Sequence, residues 1–289
     1  MPVSPARAAA FDILLRVEQR DAYASELLHS RQYAKLSSAD HGLTTELVMG
    51  VLRWRSLLDR DISRASSQKL ERLDPEVLLA LRLAAYQIIF LDRVPQRAAV
   101  HESVELVKRA RKRSAVPFAN AVLRKLTNQT SGNRDAAAIS DATSVVELSE
   151  RSAHPEWLVK RWVNELGYHA AQQICAYDQR TPETAIHLGQ SALDPELDDE
   201  LKKSGIQLAK GKLLASASRV QSGDVTHTRA FLDGRIVIQD EASQLVALLV
   251  GKGTNMLDCC AAPGGKTTRT GNETAVTSVA ARHEDCGDR

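Results

Sequence analysis

Little in this chain supports a metal centre, a disulfide framework or a membrane span. Only four cysteines occur in 289 residues, two of them adjacent as Cys259-Cys260 and the others isolated at Cys175 and Cys286. No C-x-x-C spacing offers a zinc site and nothing resembles a disulfide pattern, so no metal and a reducing, cytoplasmic setting are expected. Long apolar runs are missing as well. The most apolar stretch, Val77 to Leu91, is interrupted by Arg82 and Gln87 and is shorter than the about 18–20 residues that a span requires. Asp12 interrupts the apolar stretch Ala8–Leu15, which argues against a secretory signal. The dinucleotide fingerprint G-x-G-x-x-G is absent, there is no internal repeat, and the eight histidines are scattered, which suits surface or packing roles.

What is present is the composition of a soluble globular protein, 43% hydrophobic and 26% charged, with length enough for two domains. The net charge of +2 hides an asymmetry. Residues 1–130 hold 21 Lys and Arg against 14 Asp and Glu, an excess of seven, which leaves −5 for residues 131–289. A positive N-terminal part is an electrostatic argument for a nucleic-acid partner.

Residues 5–127 read as a run of amphipathic helices. Phe11, Leu14, Leu15 and Glu18 follow helical spacing, as do Leu43, Leu47, Val48, Val51 and Leu52. Asp74-Pro75-Glu76 supplies an N-cap acceptor, a proline for the first turn and an acid at the positive end of the helix dipole. The helix it opens, roughly 75–92, is apolar on more than one face and is expected at the buried centre of a bundle. Further helices fit 99–113 and 115–127. Residues 131–150 open on small polar residues and read as a linker. Over 151–234, helices around Trp157–Leu166 and His169–Tyr177, a strand at 184–188, an acidic helix near 195–204 and strands near 206–220 make a small α/β module. From Arg235 a strand, a helix over 241–250, a strand over 255–259 and a glycine loop follow.

That loop carries the most specific signal. Met256-Leu257-Asp258-Cys259-Cys260-Ala261-Ala262-Pro263-Gly264-Gly265-Lys266-Thr267-Thr268 runs an apolar strand into a turn whose glycines let backbone amides approach a ligand. It is no P-loop, because the opening glycine of G-x-x-x-x-G-K-[ST] would fall on Cys260 and Pro263 has no N–H to donate. The segment resembles motif I of the RsmB/Sun family of RNA 5-methylcytosine methyltransferases, D-x-C-A-A-P-G-G-K-T, which Asp258 and Cys260 through Thr267 match without a gap. Ile236-Val237-Ile238-Gln239-Asp240-Glu241-Ala242-Ser243-Gln244 is similar to that family's lead-in, and His154-Pro155-Glu156-Trp157-Leu158 to its H-P-x-W-L. Residues Ala6 to Val17, Leu47 to Trp54 and Phe118 to Leu126 resemble the NusB-like helical domain of its bacterial members.

The resemblance implies a multidomain chain. An all-α NusB-like helical bundle (1–130) is followed by a linker (131–150), a small α/β module (151–234) and the opening βα units of an incomplete Rossmann-like class I methyltransferase domain (235–289). It implies S-adenosylmethionine as cofactor, with Cys260, Ala261, Ala262, Pro263, Gly264, Gly265 and Lys266 as contacts, Cys260 packing at the strand end. The parent reaction places a methyl on carbon 5 of a small-subunit ribosomal RNA cytosine after a cysteine thiolate attacks carbon 6. The family's catalytic cysteines follow Pro or Thr downstream of motif I, and no cysteine here has that context, so no catalytic residue is assigned. Cys175 on a helix is expected to pack, and Cys286 belongs to a tail that departs from the family pattern from about residue 269. With 23 residues after Lys266, the expectation is a domain truncated or frameshifted near Thr268, a partial cofactor site and no catalysis by this chain alone. The cluster Lys108, Arg109, Arg111, Lys112 and Arg113 at a helix C-terminus reads either as a solvated end complementing the dipole or as an RNA phosphate contact, which Arg7, Arg124 and Lys125 would join. The other reading of the whole is a free-standing NusB-like RNA-binding, antitermination-type protein.

Overall fold

In the structure, a computed structural model, residues 3–33, 35–129, 137–188, 195–250, 255–259, 264–267 and 275–278 are described. The chain forms two compact units, Met1–Arg180 and Thr181–Arg289.

The first unit is helical. Its bundle comprises α1 (Pro5–Arg20), α2 (Ala24–Leu28), α3 (Ser38–Arg53), α4 (Arg55–Ala65), α5 (Pro75–Phe90), α6 (Gln96–Arg109) and α7 (Val116–Gln129). Leu14, Leu47, Leu58, Leu81, Leu106 and Leu123 come from six of these helices and share one core. The central helix is α5, buried nearly all round, as its lack of a polar face requires. The two polar residues that interrupt its apolar run are both satisfied inside. Arg82 donates to both carboxylate oxygens of Asp59, at 2.6 and 2.8 Å. Gln87 donates to the Leu83 carbonyl at 2.8 Å and accepts from Arg7 Nε at 2.7 Å. A buried polar group without such partners would be costly. Gly50 lets α3 and α5 approach closely, since a Cβ there would lie 2.0 Å from the Tyr86 ring. Asp74 occupies the N-cap position of α5 but makes no capping hydrogen bond. Its carboxylate instead lies 3.1 Å from Lys112 Nζ.

The stretch read as a linker differs from expectation. It contains α8 (Ala137–Ser140) and most of α9 (Val145–Ser152), and Ile139 and Leu148 are fully buried with Val159 and Cys175. Their apolar spacing is short and lies among small polar residues, which concealed it. The hairpin α10 (Glu156–Leu166) and α11 (Tyr168–Asp178) completes this unit. Its His154 ring lies 2.8 Å from the Ser152 carbonyl and edge-on to Trp162, a packing role for that histidine, whereas Trp157 of the same H-P-x-W-L segment is exposed. Burial pushes the Cys175 thiol pKa up. Among the described residues no helix is long and apolar enough to cross a membrane, and no cluster of side chains is fit to hold a metal.

The second unit begins with β1 (Thr184–His187), α12 (Pro195–Lys203), β2 (Gln207–Lys210), β3 (Ala217–Ser222), α13 (Arg229–Leu232) and β4 (Val237–Ile238). The strands form one antiparallel sheet in the order β2-β3-β1-β4. Ile186, Leu197, Leu201, Ile206 and Ile236 make its core. The strand at 237–238 was expected to open the methyltransferase-like part. It pairs instead with β1, Ile186 opposite Ile238. After α14 (Glu241–Leu249), β5 (Asn255–Asp258) pairs in parallel with β6 (Ala275–Ser278). The tail, which departs from the family pattern, therefore supplies a second parallel strand. Cys286 lies outside the described residues.

Candidate functional site

The basic helix end is built by a specific chain reversal. Helix α6 closes with the Lys112 N–H donating to the Val107 carbonyl at 3.1 Å and the Arg111 N–H to the Lys108 carbonyl at 3.0 Å. This is the double bond pattern of a Schellman motif, whose left-handed residue is usually glycine. Here it is Arg111, at φ 60°.

Three of the five cations in the cluster face acids of the same unit. Lys108 Nζ lies 2.6 Å from Glu105 and Arg109 3.0 Å from Asp12. Lys112 lies 3.1 Å from Asp74 and 3.8 Å from Glu76, and its hydrogen bond to Asp74 raises the ammonium pKa. Arg111 and Arg113 are exposed and make no ion pair with a described residue, and the same holds for Arg124 and Lys125 on α7.

Arg7 does not join this surface. It is 8% exposed. Its guanidinium donates to Gln87 at 2.7 Å, Ser4 Oγ at 3.0 Å and Glu102 at 3.0 Å, while the Ser4 N–H donates to the same Glu102 carboxylate at 2.8 Å. The arginine is a bundle anchor because its Nε and Nη1 donors are taken up by partners within the helical unit. Sequence position alone gave it the look of a surface cation.

The glycine loop lies at the C-terminal end of β5, the end at which open α/β sheets bind ligands. Gly264 adopts φ 106°, a backbone conformation suited to glycine. Thr267 Oγ1 donates to Asp258 Oδ2 at 2.5 Å and ties the far side of the loop to the strand. Cys260, Ala261, Ala262 and Pro263 lie outside the described residues, so Gly264, Gly265 and Lys266 are the motif positions the structure places. These fit an anionic or amide-recognised group: a glycine turn at a strand end, braced by a side-chain hydrogen bond.

Sequence reasoning missed the residue that backs this loop. A Cβ on Gly265 would lie 3.4 Å from Gln239 Nε2. Gln239 is fixed from both sides, its N–H donating to the Ala185 carbonyl at 3.0 Å and its carbonyl accepting from the buried Gln244 at 2.9 Å. Two residues on, Glu241 is buried and its carboxylate accepts the N–H groups of Lys212 at 2.8 Å and Leu213 at 2.6 Å. Burial acts to raise its pKa, but the backbone donors of Leu213, Lys212 and Leu214 and the charge of Arg219 outweigh it, and the net shift is downward. Gly211 makes room for this clamp, since a Cβ there would stand 2.5 Å from the Leu214 carbonyl and 2.8 Å from Glu241. The Gln239-Asp240-Glu241 lead-in was the available signal.

Residues 4–128 match the NusB family. The chain is 36% identical to the probable ribosomal RNA small subunit methyltransferase B of Bacillus subtilis (strain 168), covering 96% of this chain and 63% of that protein. It is 31% identical to the ribosomal RNA small subunit methyltransferase B of Pseudomonas putida KT2440, covering 82% and 53%. The crystal structure of PH0851 shares its fold with TM-score 0.69 at 20% identity, covering 96% of this chain and 64% of that one. The first unit thus carries a NusB-family helical domain, and the second is an α/β part with one antiparallel sheet and one parallel strand pair. Along most of its length the chain is similar to ribosomal RNA small subunit methyltransferase B proteins. It spans less than two thirds of the length of these relatives.

Proposed function

We propose that this chain binds small-subunit ribosomal RNA in the cytoplasm, and that it represents the RNA-binding and cofactor-loop portion of a cytosine-5 methyltransferase. In this reading residues 1–130 hold RNA, residues 151–234 bridge, and residues 235–289 begin the methyl-transfer domain. The observation that carries it is the pairing of a NusB-family domain with the glycine loop in one chain that is 36% identical to a ribosomal RNA methyltransferase B. A NusB-like protein acting alone has no use for such a loop.

The described groups take distinct roles. Exposed cations at the end of α6 and on α7 meet phosphates, a sequence-independent contact that sets orientation on the RNA. The Cys260–Lys266 loop holds S-adenosylmethionine, which supplies the methyl group when bound. Gln239 and the Asp258–Thr267 hydrogen bond keep the loop in place. By themselves these 289 residues bind the cofactor weakly or not at all and do not transfer methyl groups. The loop offers one edge of a pocket, each missing ribose hydrogen bond costs about 1 kcal/mol, and no cysteine follows Pro or Thr. The test is equilibrium binding of the full chain to small-subunit ribosomal RNA over a salt series. Affinity that falls steeply with salt supports the reading, and retention no better than that of a neutral control protein refutes it.

A further inference from the structure

We infer that Arg111 and Arg113 are the phosphate-contacting pair of the basic helix end, and that Lys108, Arg109 and Lys112 shape the protein without holding RNA. The inference rests on the RNA-binding reading above and divides its cluster into two kinds of cation.

Charge accounting makes the division. A phosphate approaching Lys112 meets Asp74 and Glu76 within 4 Å of the ammonium, and one approaching Arg109 meets Asp12 at 3.0 Å. Those acids both occupy the donors and repel the ligand. Arg111 and Arg113 have no acid of the described residues as a partner and are exposed. Their guanidinium groups are free to take phosphate oxygens two at a time, which a lysine ammonium cannot do.

Backbone geometry points the same way. Arg111 fills the glycine position of the Schellman turn at φ 60°, a conformation unfavourable for a side chain with a Cβ. Asp21 and Ala153 also end helices with positive φ, but neither brings a cation. At position 111 glycine would suit the turn better, and the strain is explained if the side chain serves binding. The two hydrogen bonds of the turn also fix the point from which the guanidinium projects.

The test compares variants of the full chain for binding to a short unstructured single-stranded RNA over a salt series, with thermal melting alongside. Arg111→Gly is expected to weaken binding about fivefold at about 0.1 M salt and to make the log K against log salt slope shallower by about 0.7. Its melting temperature is expected to rise by about 2–4 °C, because the strained turn relaxes. Arg113→Gln should lose as much affinity with no change in melting. The charge-balanced pair Lys112→Gln with Asp74→Asn should keep both affinity and slope. Arg111→Gly binding like wild type, or melting lower, overturns the inference, as does a comparable loss in the Lys112/Asp74 pair. Wild-type protein that shows no salt-dependent RNA binding overturns the RNA reading itself, a separate outcome.

Discussion

Replacing Arg7 with Met should unfold the helical unit more readily and leave RNA affinity alone. The arginine stem would be kept in outline, but its charge and three hydrogen bonds would go. Gln87 Oε1 would lose its 2.7 Å donor inside the bundle. Glu102, whose side chain is 17% exposed, would keep the Ser4 N–H and lose its counter-charge at 3.0 Å. Removing one partner of a largely buried pair costs about 3–5 kcal/mol, because the other charge stays behind. Partial access of water to Glu102 places the expected loss near the lower end, about 3 kcal/mol, or roughly 6–12 °C in melting temperature for a unit of this size. Urea denaturation of the full chain followed by helical circular dichroism measures it. A double-mutant cycle with Glu102→Met should recover more than about 1 kcal/mol of that loss, since the orphaned carboxylate is then gone. RNA affinity measured well below the melting transition should stay within about twofold of wild type, as no phosphate contact is removed. A loss under about 1 kcal/mol together with a tenfold fall in RNA affinity would refute the argument.

Gly50→Ala should destabilise the bundle by about 1–3 kcal/mol, because its Cβ collides with Tyr86 while that phenol is held 2.5 Å from Glu46. An unchanged urea midpoint would mean that α3 and α5 separate freely. Glu241→Gln should destabilise the second unit at neutral pH and progressively less in acid. The Glu241 pKa is lowered from 4.5 in the folded state, so its contribution is present above that value and is lost as pH falls below it. Unfolding midpoints of the two proteins should therefore converge on acidification, and a constant gap between them would contradict the clamp. Limited proteolysis should trim residues beyond about 235 before it cuts the helical bundle, because Leu248, Leu249, Val250 and Leu257 are exposed apolar surface. Cleavage products mapped by mass spectrometry that began in α5 or α6 would count against this.

The helical bundle was legible because its apolar periodicity is strong and prolines mark two of its helix starts. Pro75 begins α5, and α10 and α11 fall where Trp157–Leu166 and His169–Tyr177 placed them. The motif I glycines were legible too, because a φ of 106° at Gly264 leaves few residue types to choose from. What escaped depends on contacts distant in sequence. Arg7 and Glu102 are 95 residues apart, and nothing near Arg7 in the chain marks it as buried. Asp74 has a good N-cap identity, yet an ion pair with Lys112 takes its carboxylate elsewhere. The strand at 237–238 carries a readable β pattern, but pairing with β1 is a long-range choice that sequence spacing does not fix. The pairs that neutralise Lys108, Arg109 and Lys112 are tertiary in two cases of three, so the cluster looked uniform along the chain.

The reading proposed above is that this chain holds ribosomal RNA and does not by itself transfer methyl groups. The most direct measurement incubates the purified 289-residue protein with tritiated S-adenosylmethionine and undermethylated small-subunit ribosomal RNA, and reads bound RNA and incorporated label from the same samples. RNA retained with no label above a protein-free control is the predicted result. Label incorporated into cytosine, and lost on Cys286→Ala, would contradict the account by placing a nucleophile in the segment assigned no catalytic role.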